Sequence, residues 1–235
     1  DGINTPVTPA STMKFLVAAT ALESMGADFT YTTEVRAEIN AGVVGSIYLV
    51  GGGDPLLAAS WYPDDLTLSK YPQQPATSLE ALADSVVTAG VTQITGNVVG
   101  DASHYDEELY PPSWPIGFRA IQGGPISGLL VNDGAVLGAS MKSTNPAMGA
   151  AQEFYRLLKE RGVTIIGAPA SGMSPVGLPT VAAIQSAPLI DIIGEMLRNS
   201  DNNTAEMMLK EIGFRVSGVG SRAAGASAVM AKLSS

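Results

Sequence analysis

The sequence contains no cysteine, and this absence excludes several kinds of chemistry at once. A disulfide framework, a thiol nucleophile and a cysteine-ligated zinc site all need a residue type that the chain lacks. It contains a single histidine, His104. A histidine-rich metal site is therefore excluded, and a Ser-His-Asp triad would depend on that one side chain.

Charge is scarce, and positive charge is the scarcer sign. Charged residues make up 15% of the 235 residues, and 13 Lys and Arg against 22 Asp and Glu give a net charge of −9. An acidic chain repels phosphate backbones, so we expect no nucleic-acid partner. Long hydrophobic runs are also missing: no stretch approaches the roughly 20 apolar residues that a transmembrane helix needs, so we expect no membrane span. The abundant residues are apolar ones (46%), with 26 Gly and 15 Pro, which indicates a folded protein with many turns and short strands.

Hydrophobic periodicity predicts helices near both ends of the chain and a mixture of strands and helices between them. The run from Ser11 to Gly26 has no internal Gly or Pro and is apolar on nearly every face, which predicts a buried helix. Further helices are predicted over 78–90, 145–162, 187–200, 204–213 and 223–233. Strands are predicted over 31–39, 43–50, 91–101, 163–167 and 180–186, a loop over 58–77, and a strand pair over 126–140 around the turn at 132–134.

The first candidate site is the tetrapeptide Ser11-Thr12-Met13-Lys14 at the start of the first predicted helix. Residues three apart on a helix share a face, with their Cβ atoms about 5–6 Å apart. A serine hydroxyl is a weak nucleophile, but a partly desolvated lysine can be neutral and accept its proton. The spacing therefore predicts a Ser11–Lys14 dyad, with the Ser11 backbone N–H as an oxyanion donor. The alternative is that Ser11 only caps the helix and Lys14 lies at the surface.

The second candidate site is Ser200-Asp201-Asn202, in the link between two predicted helices. The Ser200 hydroxyl can relay a proton to a leaving amine, and the Asn202 carboxamide can hold both a lysine and a substrate carbonyl or amide. Helix capping is again the alternative. The two motifs together are far more specific than either alone, because penicillin-binding proteins and serine β-lactamases carry both.

The wider sequence resembles one family over nearly its whole length and in family order. It resembles the S13 family of D-alanyl-D-alanine carboxypeptidases, the class C low-molecular-mass penicillin-binding proteins. The matching segments are P-A-S-T-M-K at 9–14, I-Y-L-V-G-G-G-D-P at 47–55, V-V-G-D-A-S at 98–103, P-I-S-G-L-L-V-N-D-G at 125–134 and R-N-S-D-N-N-T-A-E-M-M-L-K at 198–210.

This resemblance implies an α+β fold: a serine β-lactamase-like, penicillin-binding transpeptidase domain interrupted by a β-rich insertion. Residues 1–30 and 185–235 would belong to the peptidase domain, which is incomplete in this sequence, and residues 31–184 would form one or more inserted subdomains. The change from an apolar helix to alternating strands near Tyr31, and back to helices near Ala187, agrees with these boundaries.

The resemblance also implies a function. A serine D-Ala-D-Ala carboxypeptidase or endopeptidase would act on peptidoglycan stem peptides in the bacterial periplasm or cell envelope, through an acyl-enzyme and without a metal or organic cofactor. Ser11 would be the nucleophile, Lys14 its base, and Ser200 and Asn202 would complete the catalytic group. β-Lactam antibiotics would acylate Ser11.

A third pair of candidates follows from the segment at 98–103. By resemblance, Asp101, with Tyr105 close by, would contact the free amine of a peptidoglycan side chain. A turn-capping aspartate is the alternative.

The sequence departs from the family pattern in one respect. The family carries a third motif, Lys-Thr-Gly or Lys-Ser-Gly, and neither tripeptide occurs here. We therefore expect further residues or a partner segment to complete the central sheet and the site. A non-catalytic cell-wall binding protein on the same fold remains an alternative, and a β-lactamase is a weaker one, because those enzymes join the two motifs by a compact helical segment.

Overall fold

A computed structural model of the chain describes residues 8–62 and 75–234, apart from the side chains of residues 120 and 121. Its helices are α1 (Met13–Met25), α2 (Leu79–Thr88), α3 (Phe118–Ile121), α4 (Pro146–Glu160), α5 (Leu189–Asn199), α6 (Asn202–Ser217) and α7 (Arg222–Leu233). Its strands are β1 (Thr32–Arg36), β2 (Ile39–Asn40), β3 (Val43–Val44), β4 (Ile47–Val50), β5 (Leu57–Ala58), β6 (Thr77–Ser78), β7 (Gln93–Ile94), β8 (Val98–Asp101), β9 (Thr164–Ile165), β10 (Pro169–Ser171) and β11 (Thr180–Gln185).

The largest sheet in the described residues has five strands in the order β10-β8-β4-β1-β11. Strand β1 is antiparallel to both of its neighbours, whereas β4, β8 and β10 are parallel to one another. Thr32 at the start of β1 pairs with Gln185 at the end of β11. This register places the chain just before β1 beside the chain just after β11. Helix α1, which precedes β1, and helix α5, which follows β11, therefore lie at the same end of these two strands.

Helices α2 and α4 pack against this sheet and against each other. Their apolar faces meet strand residues such as Leu49 in one buried cluster, to which Phe154 of α4 contributes a fully buried ring. Asn145 caps α4 by accepting a hydrogen bond from the Met148 N–H at 3.0 Å, and Pro146 occupies the first turn. These local signals explain why the bounds of α4 could be predicted from the sequence.

A second buried cluster lies among the helices that surround the candidate site. Helix α6 packs between α1 and α7, and α5 packs against α1. The approach of α6 and α7 is close, because a Cβ atom on Gly225 would collide with the carbonyl oxygen of Leu209. The buried members of this cluster are Ala18, Ala21, Tyr31, Leu56, Leu189, Ile192, Ile193, Met196, Met208, Ile212, Ala228 and Val229.

Two structural predictions from the sequence are wrong. The strand pair over 126–140 is absent from the structure: residues 126–131 are buried without forming a strand, and a 3₁₀ turn (Asn132–Gly134) follows. The backbone around this run bonds to other parts of the chain, with Gly53 N–H donating to the Gly128 carbonyl at 2.9 Å. The run is therefore apolar because it is surrounded by protein, and its turn does not join two strands.

The second error concerns the exposure of α1. The helix was expected to be buried on nearly every face, but Phe15 is 62% exposed and Met13 is 45% exposed. Helices α5, α6 and α7 pack against α1, and this packing leaves Met13 and Phe15 exposed.

The remaining elements agree with the pattern in outline. The predicted strands over 31–39 and 43–50 each divide into two short strands. Two of the resulting strands, β2 and β3, belong to the small sheet β2-β3-β7-β9, and the other two strands of that sheet, β7 and β9, come from later in the chain. The loop predicted over 58–77 is flanked by β5 and β6, and its residues 63–74 lie outside the described part. The segment 31–184 holds all the described strands except Gln185, the last residue of β11, and it also holds α2, α3 and α4. The proposed domain boundaries stay a prediction.

No helix within residues 8–62 and 75–234 combines the length and the hydropathy that crossing a bilayer would require.

Candidate active site

Ser11 and Lys14 lie on the same side of the helical run that begins at Ala10. Ser11 lies in a 3₁₀ turn (Ala10–Thr12) that leads directly into α1. Ala10 has a φ of 47°, a left-handed conformation that costs free energy in a residue with a Cβ atom. The predicted i, i+3 geometry is present, since Lys14 Nζ lies 3.2 Å from Ser11 Oγ.

The link between α5 and α6 brings the second motif to the same place. Ser200 ends α5 with a left-handed φ of 55°, and Asp201 caps α6 by accepting from the Thr204 N–H at 2.8 Å. This sharp reversal turns the Ser200 hydroxyl toward Ser11, and the two Oγ atoms are 2.8 Å apart. Capping is thus the role of Asp201, which leaves the side chains of Ser200 and Asn202 available.

Lys14 stands at the centre of the group. Its Nζ lies 2.6 Å from Asn202 Oδ1 and 3.5 Å from Ser200 Oγ, in addition to its contact with Ser11. The structure therefore brings together the four side chains that the two motifs predicted, although 186 residues separate Lys14 from Ser200 in sequence.

Burial lowers the pKa of the Lys14 ammonium, because the charged form loses water when the side chain is covered. The negative charges of Asp201 and Glu206 oppose this shift and favour the ammonium. Burial itself, with the neighbouring charge of Asp133, raises the pKa of Asp201 to about 6. The balance gives a lysine that deprotonates more readily than one in water, as a base for Ser11 requires.

These side chains open into a cleft of about 620 Å³. Sequence reasoning did not identify several groups that line it, namely Trp114, Phe118, Gln122 and Glu206. Gln122 contributes its backbone carbonyl, which accepts a hydrogen bond from Asn202 Nδ2 at 2.7 Å. Every residue type has a backbone carbonyl, so this contact could not be predicted from the residue type. Glu206 lies four residues after Asn202 and so shares its face of α6, but the helix was predicted to begin only at residue 204, which left Asn202 outside it.

The predicted substrate contacts, Asp101 and Tyr105, line a second cleft of about 690 Å³. Asp101 is buried, and its two carboxylate oxygens accept from the backbone N–H groups of Ser103 at 2.9 Å and Ser174 at 2.7 Å. Tyr105 is buried too, and its hydroxyl donates to Glu211 Oε2 at 3.0 Å. The structure thus shows the turn-capping geometry for Asp101, and the two clefts share no lining residue.

In the two described ranges, no group of three or more His, Asp or Glu side chains is placed to hold a metal ion.

Comparison with known proteins identifies relatives of this arrangement. The family model of the D-Ala-D-Ala carboxypeptidase 3 (S13) family matches residues 3–137 and 117–235. Carboxypeptidase Rv3627c of Mycobacterium tuberculosis is 31% identical over 230 residues, which cover 90% of this chain and 44% of that protein. The D-alanyl-D-alanine carboxypeptidase of Actinomadura sp. (strain R39) is 34% identical over 198 residues, covering 77% of this chain and 34% of that protein. The chain thus spans less than half the length of each of these relatives.

Solved structures share the fold. Penicillin binding protein 4 (dacB) from Haemophilus influenzae superposes with a TM-score of 0.79 at 17% identity, over 97% of this chain and 62% of that one. The same Haemophilus protein complexed with a β-lactam superposes with a TM-score of 0.65 at 18% identity, over 96% and 60% of the two chains. The predicted fold class is confirmed, and so is the resemblance on which it rested: the chain belongs to the D-Ala-D-Ala carboxypeptidase (S13) family.

Proposed function

We propose that the protein is a serine D-Ala-D-Ala carboxypeptidase that acts on peptidoglycan stem peptides in the bacterial periplasm or cell envelope. The observation that carries this proposal is the contact of Ser11 Oγ with both Lys14 Nζ, at 3.2 Å, and Ser200 Oγ, at 2.8 Å. A helix cap needs neither partner. A nucleophile needs a base on one side and a path for the proton to the leaving group on the other.

In the acylation step, neutral Lys14 takes the hydroxyl proton as Ser11 Oγ attacks the carbonyl carbon of the penultimate D-alanine. The Ser11 backbone N–H, at the start of the helix, donates to the oxyanion. When the C–N bond breaks, the proton passes from Lys14 through the Ser200 hydroxyl to the amine of the leaving D-alanine. Asn202 holds Lys14 in place through its Oδ1 atom.

In the deacylation step, water attacks the Ser11 ester and the peptide leaves with a new carboxylate. Lys14, left neutral when the leaving amine took its proton, accepts a proton from this water, and a proton returns to Ser11 Oγ as the ester bond breaks. A D-Ala–diaminopimelate cross-link presents the same type of D-amino-acid amide, so endopeptidase activity needs no different chemistry. A β-lactam amide would acylate Ser11 in the same way.

Release of D-alanine tests this function. The protein is incubated with a peptide that ends in D-Ala-D-Ala and, as a control, with the same peptide ending in L-Ala-L-Ala. We expect D-alanine from the first and no cleavage of the second. Absence of D-alanine release would favour a non-catalytic cell-wall binding protein, and rapid turnover of penicillin would favour a β-lactamase.

The charge of Glu206 is expected to set the pH range of acylation. Its negative charge favours the Lys14 ammonium, so Glu206→Gln lowers the pKa of Lys14 further. Lys14 is active when neutral, and the acid limb of the acylation rate should therefore move to lower pH. The measurement is the rate of penicillin acylation against pH.

Glu23→Gln is the matched control, because Glu23 is an exposed residue of α1 that pairs with Lys232. It should leave the acid limb where it is in the wild type. An acid limb that stays in place in Glu206→Gln, or moves to higher pH, would show that Glu206 does not act on Lys14.

For the second cleft, we propose that Asp101 attracts the free amine of a stem-peptide side chain and that Tyr105 forms part of the wall. A carboxylate oxygen that accepts one backbone hydrogen bond retains a second lone pair, so capping does not exclude an amine ligand. Asp101→Asn should raise KM about tenfold for a peptide with a free side-chain amine, in line with loss of one charge-assisted hydrogen bond.

The same peptide with its side-chain amine acetylated supplies the control. Its KM should be the same for wild type and Asp101→Asn. Equal effects on both peptides would assign Asp101 to turn capping alone.

A further inference from the structure

The Asn-Asp-Gly turn in the segment 125–134 has no role in the chemistry described so far, yet its backbone is unusual. Asn132 and Asp133 adopt left-handed φ values of 55° and 53°, and Gly134 follows with 82°. Successive non-glycine residues in this conformation are held there by their surroundings. Asn132 is fully buried and accepts from the Ala59 N–H at 2.7 Å, which anchors the turn.

The Asp133 carboxylate is held between two partners. One oxygen accepts a hydrogen bond from Asn203 Nδ2, and the other forms an ion pair with Lys142 Nζ. The Lys142 side chain is 5% exposed, so its ammonium supplies a shielded counter-charge. A carboxylate can only accept hydrogen bonds, so it admits only the NH₂ end of the Asn203 amide.

Asn203 connects this carboxylate to the wall of the active-site cleft. Its Oδ1 accepts from the Gly124 N–H at 2.6 Å, and the side chain is buried. A Cβ atom on Gly124 would lie 2.6 Å from Asn203 Nδ2 and 2.7 Å from the Asp133 carbonyl oxygen, which leaves no room for a side chain. Because Asp133 binds the NH₂ end of the Asn203 amide, the Oδ1 end of that amide always faces the Gly124 N–H as an acceptor.

The wall segment acts in turn on Asn202, the neighbour of Asn203. Gln122, two residues before Gly124, accepts from Asn202 Nδ2 through its carbonyl at 2.7 Å. This carbonyl can bind only the NH₂ end of the Asn202 amide, so Oδ1 must face Lys14 Nζ, which lies 2.6 Å away. If Gln122 moved, the Asn202 amide could rotate and present a donor to an amine that needs an acceptor.

We propose that Asp133, acting through Asn203 and the segment Gln122–Gly124, is a positioning residue that fixes the orientation of the Asn202 amide toward Lys14. Asp133 touches neither Lys14 nor Ser11 in any hydrogen bond of the described structure. Its effect on the reaction passes through Asn202. This inference rests on the proposed function, because it assigns Asp133 a part in acylation of Ser11.

A double-mutant cycle tests the inference on the full-length protein. Asp133→Asn keeps the shape of the side chain but can bind either end of the Asn203 amide. The rate of penicillin acylation of this variant should fall about tenfold. Its melting temperature should fall as well, because the shielded Lys142 ammonium loses its counter-charge, and this loss of stability is expected in both backgrounds of the cycle. In the Asn202→Ala background, the same substitution should have no further effect on acylation, since the group through which Asp133 acts is gone.

Two further variants complete the experiment. Gly124→Ala should displace the same segment, because the added Cβ atom would collide with Asn203 Nδ2. Its effect on the acylation rate should also disappear in the Asn202→Ala background. This second variant keeps the inference testable if Asp133→Asn folds poorly. Asp84→Asn is the control, because it also removes one carboxylate charge, but Asp84 pairs with Arg161, which directly follows α4 and lies away from both clefts. It should acylate at the wild-type rate.

The outcomes separate this inference from the proposed function. Equal slowing in the wild-type and Asn202→Ala backgrounds would assign Asp133 a general structural role and overturn the inference, as would an unchanged rate in Asp133→Asn. A wild-type protein that is not acylated at all would overturn the proposed function first.

Discussion

Ser11→Ala is expected to abolish D-alanine release and covalent penicillin labelling, with a loss of about 10³-fold or more in rate. No other described hydroxyl contacts Lys14 except that of Ser200, which is turned toward Ser11. The fold should survive, because Ser11 is exposed and its hydroxyl makes only contacts within the catalytic group. Losing these hydrogen bonds should cost about 1 kcal/mol of stability.

Ser24→Ala is a matched control for this substitution. Ser24 lies on the same helix, α1, and does not line the cleft at Ser11. It should leave labelling at the wild-type level. Stoichiometric labelling of the Ser11→Ala protein would place the nucleophile elsewhere.

Lys14→Met should lower the acylation rate by about 10²–10⁴-fold, the usual contribution of a positioned general base. Methionine keeps an unbranched apolar stem in the buried space that Lys14 occupies, so the packing of α1 should be largely retained. Asn202 Oδ1 and Ser11 Oγ would lose their amine partner but stay next to the open cleft. Stopped-flow measurement of penicillin acylation gives the rate.

The control for the lysine is Lys232→Met on α7. Lys232 forms an ion pair with Glu23 in which both side chains are well exposed, so little change in either stability or rate is expected. Acylation of Lys14→Met at the wild-type rate would show that another group removes the Ser11 proton.

The candidate catalytic group could be predicted from the sequence because each half of it is local. Ser11 and Lys14 are three residues apart on a helix, and helix geometry alone brings them together. Ser200 and Asn202 were identified by their position in a link between two helices and by family resemblance. Their contact with Lys14 depends on the packing of α5 and α6 against α1, which no local pattern specifies.

The contacts that hold these side chains in position could not be predicted in the same way. Gln122 acts through a carbonyl that every residue type possesses, so its role leaves no sequence signal. The Asn-Asp-Gly sequence was correctly expected to form a turn, but it was placed between two strands because buried irregular backbone and a buried strand have similar apolar patterns. The exposure of Phe15 depends on which elements cover α1, and helical periodicity reports only that a face is apolar.

Acylation by benzylpenicillin, followed by intact-mass measurement and peptide mapping, tests the central claim most directly. If Ser11 is the nucleophile of a carboxypeptidase, the mass should increase by one penicillin per chain, and the adduct should map to the peptide that contains Ser11 and persist for minutes or longer. The absence of an adduct under these conditions, or an adduct that maps to another residue, would contradict the account.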